Sequence, residues 1–106
     1  IDTARVYAPV DPAQPPRVTV DRLWPRGIHK EDPRVGTWMP HVAPSNELRK
    51  WYHAHLDQYD DFAARYREEL ADSEDLAKLR AMGPVTLTTA AKDVAISHVP
   101  ILAALL

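Results

Sequence analysis

Apolar residues recur along this chain with two periods, the alternation typical of β-strands and the spacing typical of α-helices. Three short segments rich in β-branched residues predict strands, at Thr3–Tyr7, Arg17–Asp21 and Val85–Ala90. The first two are separated by Pro9–Pro16, which contains four prolines. Because proline fixes φ and lacks a backbone N–H, this segment predicts a connecting loop.

The helical spacing occupies the middle and the end of the chain. Four side chains are suited to cap helix starts by accepting hydrogen bonds from free N–H groups; they are Ser45, Asp57, Ser73 and Ser97. The first two helices carry apolar stripes: Leu48, Trp51, Tyr52 and His55, followed by Tyr59, Phe62, Ala63, Tyr66 and Leu70. Gly83 is suited to end the third helix, and Pro100 to the first turn of the last.

Residues 28–43 follow neither period. We expect irregular structure there, with Trp38 and Met39 as buried anchors.

The order of these elements is strand, strand, helices, strand, helix, which predicts a single α/β domain over residues 1–106. Helices between two strands favour a parallel crossover, so we expect the second and third predicted strands to be parallel neighbours. The predicted fold is a small parallel, or mostly parallel, three-stranded sheet flanked by helices.

Composition narrows the classes of function. The formal net charge is −2, from 13 Lys and Arg against 15 Asp and Glu. Duplex-binding domains usually carry a basic excess, so this charge argues against nucleic acid as a partner. The chain has no cysteine, which excludes a disulfide framework, a thiolate zinc site and a cysteine nucleophile. No apolar run is long enough to span a membrane, and we expect a cytoplasmic protein without membrane contact.

Charged side chains follow two of the predicted strands. The second strand ends in Asp21 and Arg22 and continues to Arg26, and the third continues to Lys92 and Asp93. Ligands of open parallel sheets bind at the carboxyl ends of the strands. We therefore expect Arg22, Arg26 and Lys92 to bind a phosphate or carboxylate, because guanidinium groups bind such anions bidentately.

Helix starts and acidic residues extend this predicted site. Backbone N–H groups at the helix start at Ser45 or at Ser97 could add donors for an anion, and Glu47 and Arg49 on the first helix could reach the same edge. Asp21, Glu47 or Asp93 could orient the cations or act as acid or base. The alternative interpretation is a structural ion-pair network that ties the Asp21 strand to the helix at Glu47.

The aromatic and histidine side chains give weaker indications of the predicted site. Trp24 could stack on a ligand or on a guanidinium, but we expect it to close the edge of the core. His98 is the only histidine that we place near the site. His53 and His55 are two residues apart and face different sides of a helix, so they do not form a helical metal pair. We predict no metal site and, without a glycine-rich phosphate loop, no nucleotide cofactor.

Three segments resemble a known family: Val20–Gly27, Ala43–His53 and Ala90–Asp93. In order along nearly the whole chain, they resemble the YeaO-like family, bacterial domain of unknown function 488. The resemblance implies a compact α/β domain. The positions that carry over are Asp21, Arg22, Trp24, Arg26, Ser45, Glu47, Arg49, Lys92, Asp93 and His98. Ser97-His98 stands where an Asn-His pair is typical of the family, and Pro100 is unusual.

Two classes of function remain open. The first is a domain that binds a small anionic molecule in a cleft, with or without acid/base chemistry. The second is a non-catalytic regulatory module that recognises a protein or nucleic acid. The sequence leaves the oligomeric state open.

Overall fold

The computed structural model describes residues 1–106. It contains one sheet of four parallel strands in the order β1-β4-β2-β3. The strands are β1 (Asp2–Arg5), β2 (Arg17–Thr19), β3 (Thr37–Trp38) and β4 (Thr86–Thr89). The predicted parallel pairing of the second and third predicted strands is confirmed, because β2 and β4 are neighbours with Val18 opposite Leu87. The α/β fold is likewise confirmed, with four strands rather than three.

The additional strand, β3, lies in the segment that was predicted to be irregular. It has two residues, too few to give a period, and it forms by pairing with β2. Trp38 was predicted to be a buried anchor, but 39% of it is exposed because it lies on this edge strand. Its indole N–H donates to the carbonyl of Asp21 at 2.8 Å.

Four α-helices follow the predicted pattern. They are α1 (Asn46–His53), α2 (Tyr59–Leu70), α3 (Glu74–Ala81) and α4 (Val99–Ala104), with 3-10 helices at Pro40–Val42 and Val94–Ile96. None of the helices is long and apolar enough to cross a membrane.

Two of the four predicted helix N-caps, Ser45 and Ser73, are confirmed. The hydroxyl groups of Ser45 and Ser73 accept the N–H groups of Leu48 and Leu76, each at 3.1 Å.

The other two predicted caps need correction. Asp57 does not cap α2, because a turn closed by the N–H of Gln58 on the carbonyl of His55 carries the chain past it, and Gln58 becomes the N-cap. The last helix begins after His98 rather than directly after Ser97, although the Ser97 hydroxyl still accepts the N–H of Val99 at 3.2 Å.

The two faces of the sheet are covered differently. Val18, Val20, Val85 and Leu87 point to one face and join buried residues of all four helices in the main core. The opposite face consists of polar side chains that are also buried: Arg17, Thr19, Thr86 and Thr88. Loops cover these, and the Thr19 hydroxyl donates to the carbonyl of Val35 at 2.8 Å. The loop side is therefore held by hydrogen bonds, and the helix side by apolar packing.

Candidate functional site

A cavity of about 840 Å³ opens beyond the carboxyl ends of β2 and β4. We call it the cleft. Its walls come from residues 21–26 after β2, from residues 89–93 after β4, and from α1 and the segment before α4. Eight of the predicted site residues line it: Asp21, Arg22, Trp24, Arg26, Arg49, Lys92, Asp93 and His98.

The structure does not bring Ser45 or Glu47 into the cleft. The Ser45 hydroxyl donates to one carboxylate oxygen of Glu69 at 2.5 Å, and its backbone N–H donates to the other at 2.9 Å. Glu47 is exposed in the first turn of α1. The start of α1 is thus bound to α2 by Glu69, and its N–H at Ser45 is not free for a ligand.

The cleft contains four permanent cations, which are Arg22, Arg26, Arg49 and Lys92. None of them lies within 4.0 Å of a carboxylate, since the ion pairs of this structure are Arg34–Asp32 and His98–Asp21. The alternative of an ion-pair network between the Asp21 strand and Glu47 is therefore not present. The positive charge of the cleft wall is not neutralised by direct carboxylate contacts.

The four cationic side chains differ in their hydrogen bonds and in their exposure to solvent. Arg22 donates through Nε to the carbonyl of Pro44 at 2.9 Å and through a terminal nitrogen to that of Ala43 at 3.0 Å. Arg49 is partly buried, and its Nε is buried without a hydrogen-bond partner. Arg26 and Lys92 are exposed. The cleft therefore combines one guanidinium group held by backbone carbonyls, that of Arg22, with one partly buried guanidinium group and two exposed cationic side chains.

Both acidic side chains of the cleft accept a hydrogen bond from a backbone N–H group. One carboxylate oxygen of Asp21 accepts the N–H of Ala90 at 2.7 Å, which ties the end of β2 to the end of β4. The other oxygen is buried, makes no hydrogen bond and lies 3.7 Å from Nε2 of His98. Asp93 accepts the N–H of Ala95 at 3.1 Å and caps the second 3-10 helix. Each carboxylate therefore uses one oxygen to hold the backbone of a neighbouring segment.

His98 lies at the base of the cleft, where its Nε2 donates to the carbonyl of Val20 at 2.8 Å. A carbonyl can only accept, so Nε2 carries a proton and Nδ1 is the free nitrogen of the neutral ring. Burial lowers the pKa of His98 below its ordinary value, and the Asp21 carboxylate and the bond to Val20 oppose this shift only in part. His98 is therefore neutral at pH 7.

This depressed pKa predicts a loss of stability in mild acid. Below about pH 6.5 the unfolded chain protonates His98 while the folded chain does not, so the free energy of unfolding falls as pH decreases towards the folded pKa. The slope is at most about 1.4 kcal/mol per pH unit. Urea denaturation at pH 7.5 and 5.0 measures it. In His98→Gln, whose amide can still donate to Val20, the decrease should be smaller, and an equal decrease in both proteins would contradict this assignment.

Trp24 forms a wall of the cleft. Its indole N–H donates to the carbonyl of Ile28 at 2.7 Å, and its ring meets that of Trp38 edge to face at 5.4 Å. It also packs on the small cluster of Val6, Ile28 and Val35. This packing agrees with the expectation that Trp24 closes the edge of the core.

Sequence reasoning missed the side chains that position the loops of the cleft. The hydroxyl groups of Tyr52, Tyr59 and Tyr66 donate to the carbonyls of Ile96, Ser97 and Val42, respectively. The helical spacing alone places Tyr52, Tyr59 and Tyr66 on the apolar stripes and gives their hydroxyl groups no role. The available signal was the use of tyrosine where phenylalanine would fill the core equally well, because a buried tyrosine hydroxyl needs a partner.

Arg5 is a further residue that the sequence did not single out. Its guanidinium donates to the carbonyls of Ala91 and Ala90 at 3.0 and 3.3 Å. It holds the loop after β4 from the side of β1, and no motif in the sequence links these segments.

Comparison with known proteins places the chain in a family. The sequence profile described as the inactive DUF488-N3 subclade matches residues 1–106. The chain belongs to this subclade. The uncharacterized protein Rv3073c of Mycobacterium tuberculosis is 52% identical over 109 residues, which cover 100% of this chain and 92% of that protein. The uncharacterized protein YeaO of Escherichia coli is 39% identical over 107 residues, covering 97% and 93%.

The resemblance of this DUF488-N3 chain to the YeaO-like family is thus confirmed over its whole length. No solved structure matches the chain.

Proposed function

We propose that this DUF488-N3 domain binds a small phosphate- or carboxylate-bearing molecule in the cleft without transforming it. The observation that carries the proposal is the set of cleft cations, Arg22, Arg26, Arg49 and Lys92, none of which has a carboxylate within 4.0 Å. The only carboxylates beside them, Asp21 and Asp93, are fewer than the cations.

Electrostatics supports an anion as the ligand. Like charges that share a cleft repel one another, and the repulsion is relieved when an anion enters between them. Arg22 is pre-positioned by two backbone carbonyls, so a ligand does not have to order it. Arg26 is exposed and makes no side-chain hydrogen bond, which leaves its planar fork free for a phosphate or carboxylate.

The same geometry disfavours acid/base catalysis. A general acid or base must reach the proton that it transfers. Asp21 is committed to Ala90 through one oxygen and its other oxygen is buried, Asp93 is committed through one oxygen to the cap of a 3-10 helix, and Glu47 does not line the cleft. The description of the subclade as inactive is consistent with binding alone.

Arg26→Met tests the proposal. Loss of a charge-assisted hydrogen bond, worth about 1.5–3 kcal/mol, should weaken the binding of inorganic phosphate by about tenfold or more. Stability should stay within about 0.5 kcal/mol, because no carboxylate is left unpaired. Isothermal titration calorimetry with phosphate measures the first effect, and urea denaturation without phosphate measures the second.

Lys50→Met is the matched control. Lys50 is exposed on α1 and does not line the cleft, so this variant makes the same change in net charge at another place. Equal phosphate affinities in the two variants would contradict a specific site. A loss of stability of several kcal/mol in Arg26→Met would mean that the arginine supports the fold instead.

A further inference from the structure

Part of the exposed apolar surface of this protein lies at the cleft. Leu23, Leu56 and Ile96 are 59%, 57% and 47% exposed, and all three line it. They are three of the seven large apolar residues that the surface of this protein exposes. Single exposed apolar residues are normal, but a group of them at a cavity is typical of a ligand site.

The inner wall between these residues is also apolar. Tyr52 and Phe62 line the cleft, and they are only 6% and 2% exposed. The hydroxyl of Tyr52 donates to the carbonyl of Ile96 at 2.8 Å, which fixes Ile96 beside α1. The apolar part of the cleft is therefore held in place by the core.

The cleft is larger than a simple anion would fill. Its volume of about 840 Å³ falls in the range of about 300–1,000 Å³ that is typical of sites for drug-sized molecules. An inorganic phosphate or a short carboxylate at the arginines would leave most of this space, and the apolar residues along it, in contact with water.

We propose that the ligand is an amphipathic anion, in which a phosphate or carboxylate is joined to an aryl or short alkyl body. The inference rests on the proposed function. The anionic group meets Arg22, Arg26 and Lys92, and the apolar body packs against Leu56 and Ile96. The two parts contribute separately, since burial of apolar area and charge-assisted hydrogen bonding are different sources of affinity.

Three probes separate these contributions on the unmodified protein: inorganic phosphate, phenyl phosphate and the neutral benzyl alcohol. Isothermal titration calorimetry should give at least tenfold tighter binding of phenyl phosphate than of phosphate, which is about 1.4 kcal/mol. Benzyl alcohol should bind at least tenfold more weakly than phenyl phosphate.

The possible outcomes distinguish the two proposals. Equal affinities for phosphate and phenyl phosphate would overturn the amphipathic ligand and leave anion binding in place. Benzyl alcohol binding as tightly as phenyl phosphate would overturn anion binding itself. Absence of binding by both phosphates would overturn both proposals.

The double variant Leu56→Ser, Ile96→Ser locates the apolar contact. Both side chains are about half exposed, so the fold should persist. The preference for phenyl phosphate over phosphate should fall to less than threefold, while the affinity for inorganic phosphate stays unchanged. Met82→Ser is the matched control, because Met82 is 43% exposed and lies outside the cleft. If the double variant keeps the full preference, the apolar body does not bind where we propose.

Discussion

Phe62→Ala is expected to lower the free energy of unfolding by about 3–5 kcal/mol. The Phe62 side chain is 2% exposed, and its ring stacks on that of Tyr52 with centroids 4.1 Å apart and on that of Tyr66 at 6.1 Å. Truncation removes these contacts and leaves a cavity between α1 and α2. Because domains of this size are stable by only about 5–15 kcal/mol, the change should be evident in urea denaturation at pH 7.5.

Phe62→Leu is the matched control, since it retains most of the apolar volume and should cost clearly less than the alanine variant. Leu48→Ala, on the facing stripe of α1, should cost about 2–5 kcal/mol for the same reason, as Leu48 is 6% exposed. An unchanged denaturation midpoint in Phe62→Ala would mean that the assigned helix faces are wrong.

Elements specified by local chemistry were predictable from the sequence. Ser45 and Ser73 cap their helices through contacts only three residues away, so residue type and position suffice to find them. The stripe of α2 was also predictable, because Phe62, Ala63 and Tyr66 repeat with the helical period and are buried. The strand β4 was predictable from its own residues as well, and all four of them are buried.

Elements specified by distant contacts were not predictable. The strand β3 exists because its two residues pair with β2, and two residues carry no period. The shift of the α2 cap from Asp57 to Gln58 has a different cause, because the turn responsible for it joins residues only three apart, His55 and Gln58. The missed strand is thus a case in which tertiary pairing overrides local preference, and the misplaced cap is a case of an unrecognised local turn.

The candidate site likewise has some features that were predictable from the sequence and others that were not. The clustering of Arg22, Arg26 and Lys92 followed from one rule, that parallel strands end at a common edge. The separation of Glu47 from them did not follow, because the start of α1 is turned towards Glu69, more than twenty residues along the chain. The role of Asp21 as a brace likewise depends on the N–H of Ala90, which belongs to another strand end.

Gly36→Ala is expected to cost about 2–5 kcal/mol, summed from backbone strain and steric overlap. Gly36 has a φ of +62°, a conformation that disfavours any side chain. A β-carbon there would also lie 2.2 Å from the carbonyl oxygen and 2.9 Å from the carbonyl carbon of Arg17. Arg17 cannot move away freely, because it lies in β2 with its neighbour Val18 paired to both β3 and β4. Thermal and urea denaturation measure the loss.

Gly83→Ala separates the two parts of this cost. Gly83 has a similar φ of +76°, but a β-carbon there would meet no atom within 4 Å. This variant should therefore lose only the conformational part, about 1–2 kcal/mol. The difference between the two variants measures the overlap with Arg17, and with it the rigidity of the strand that ends at the cleft. Equal losses would mean that β2 yields to the new methyl group, so that the wall of the cleft that follows β2 is not held rigidly by this strand.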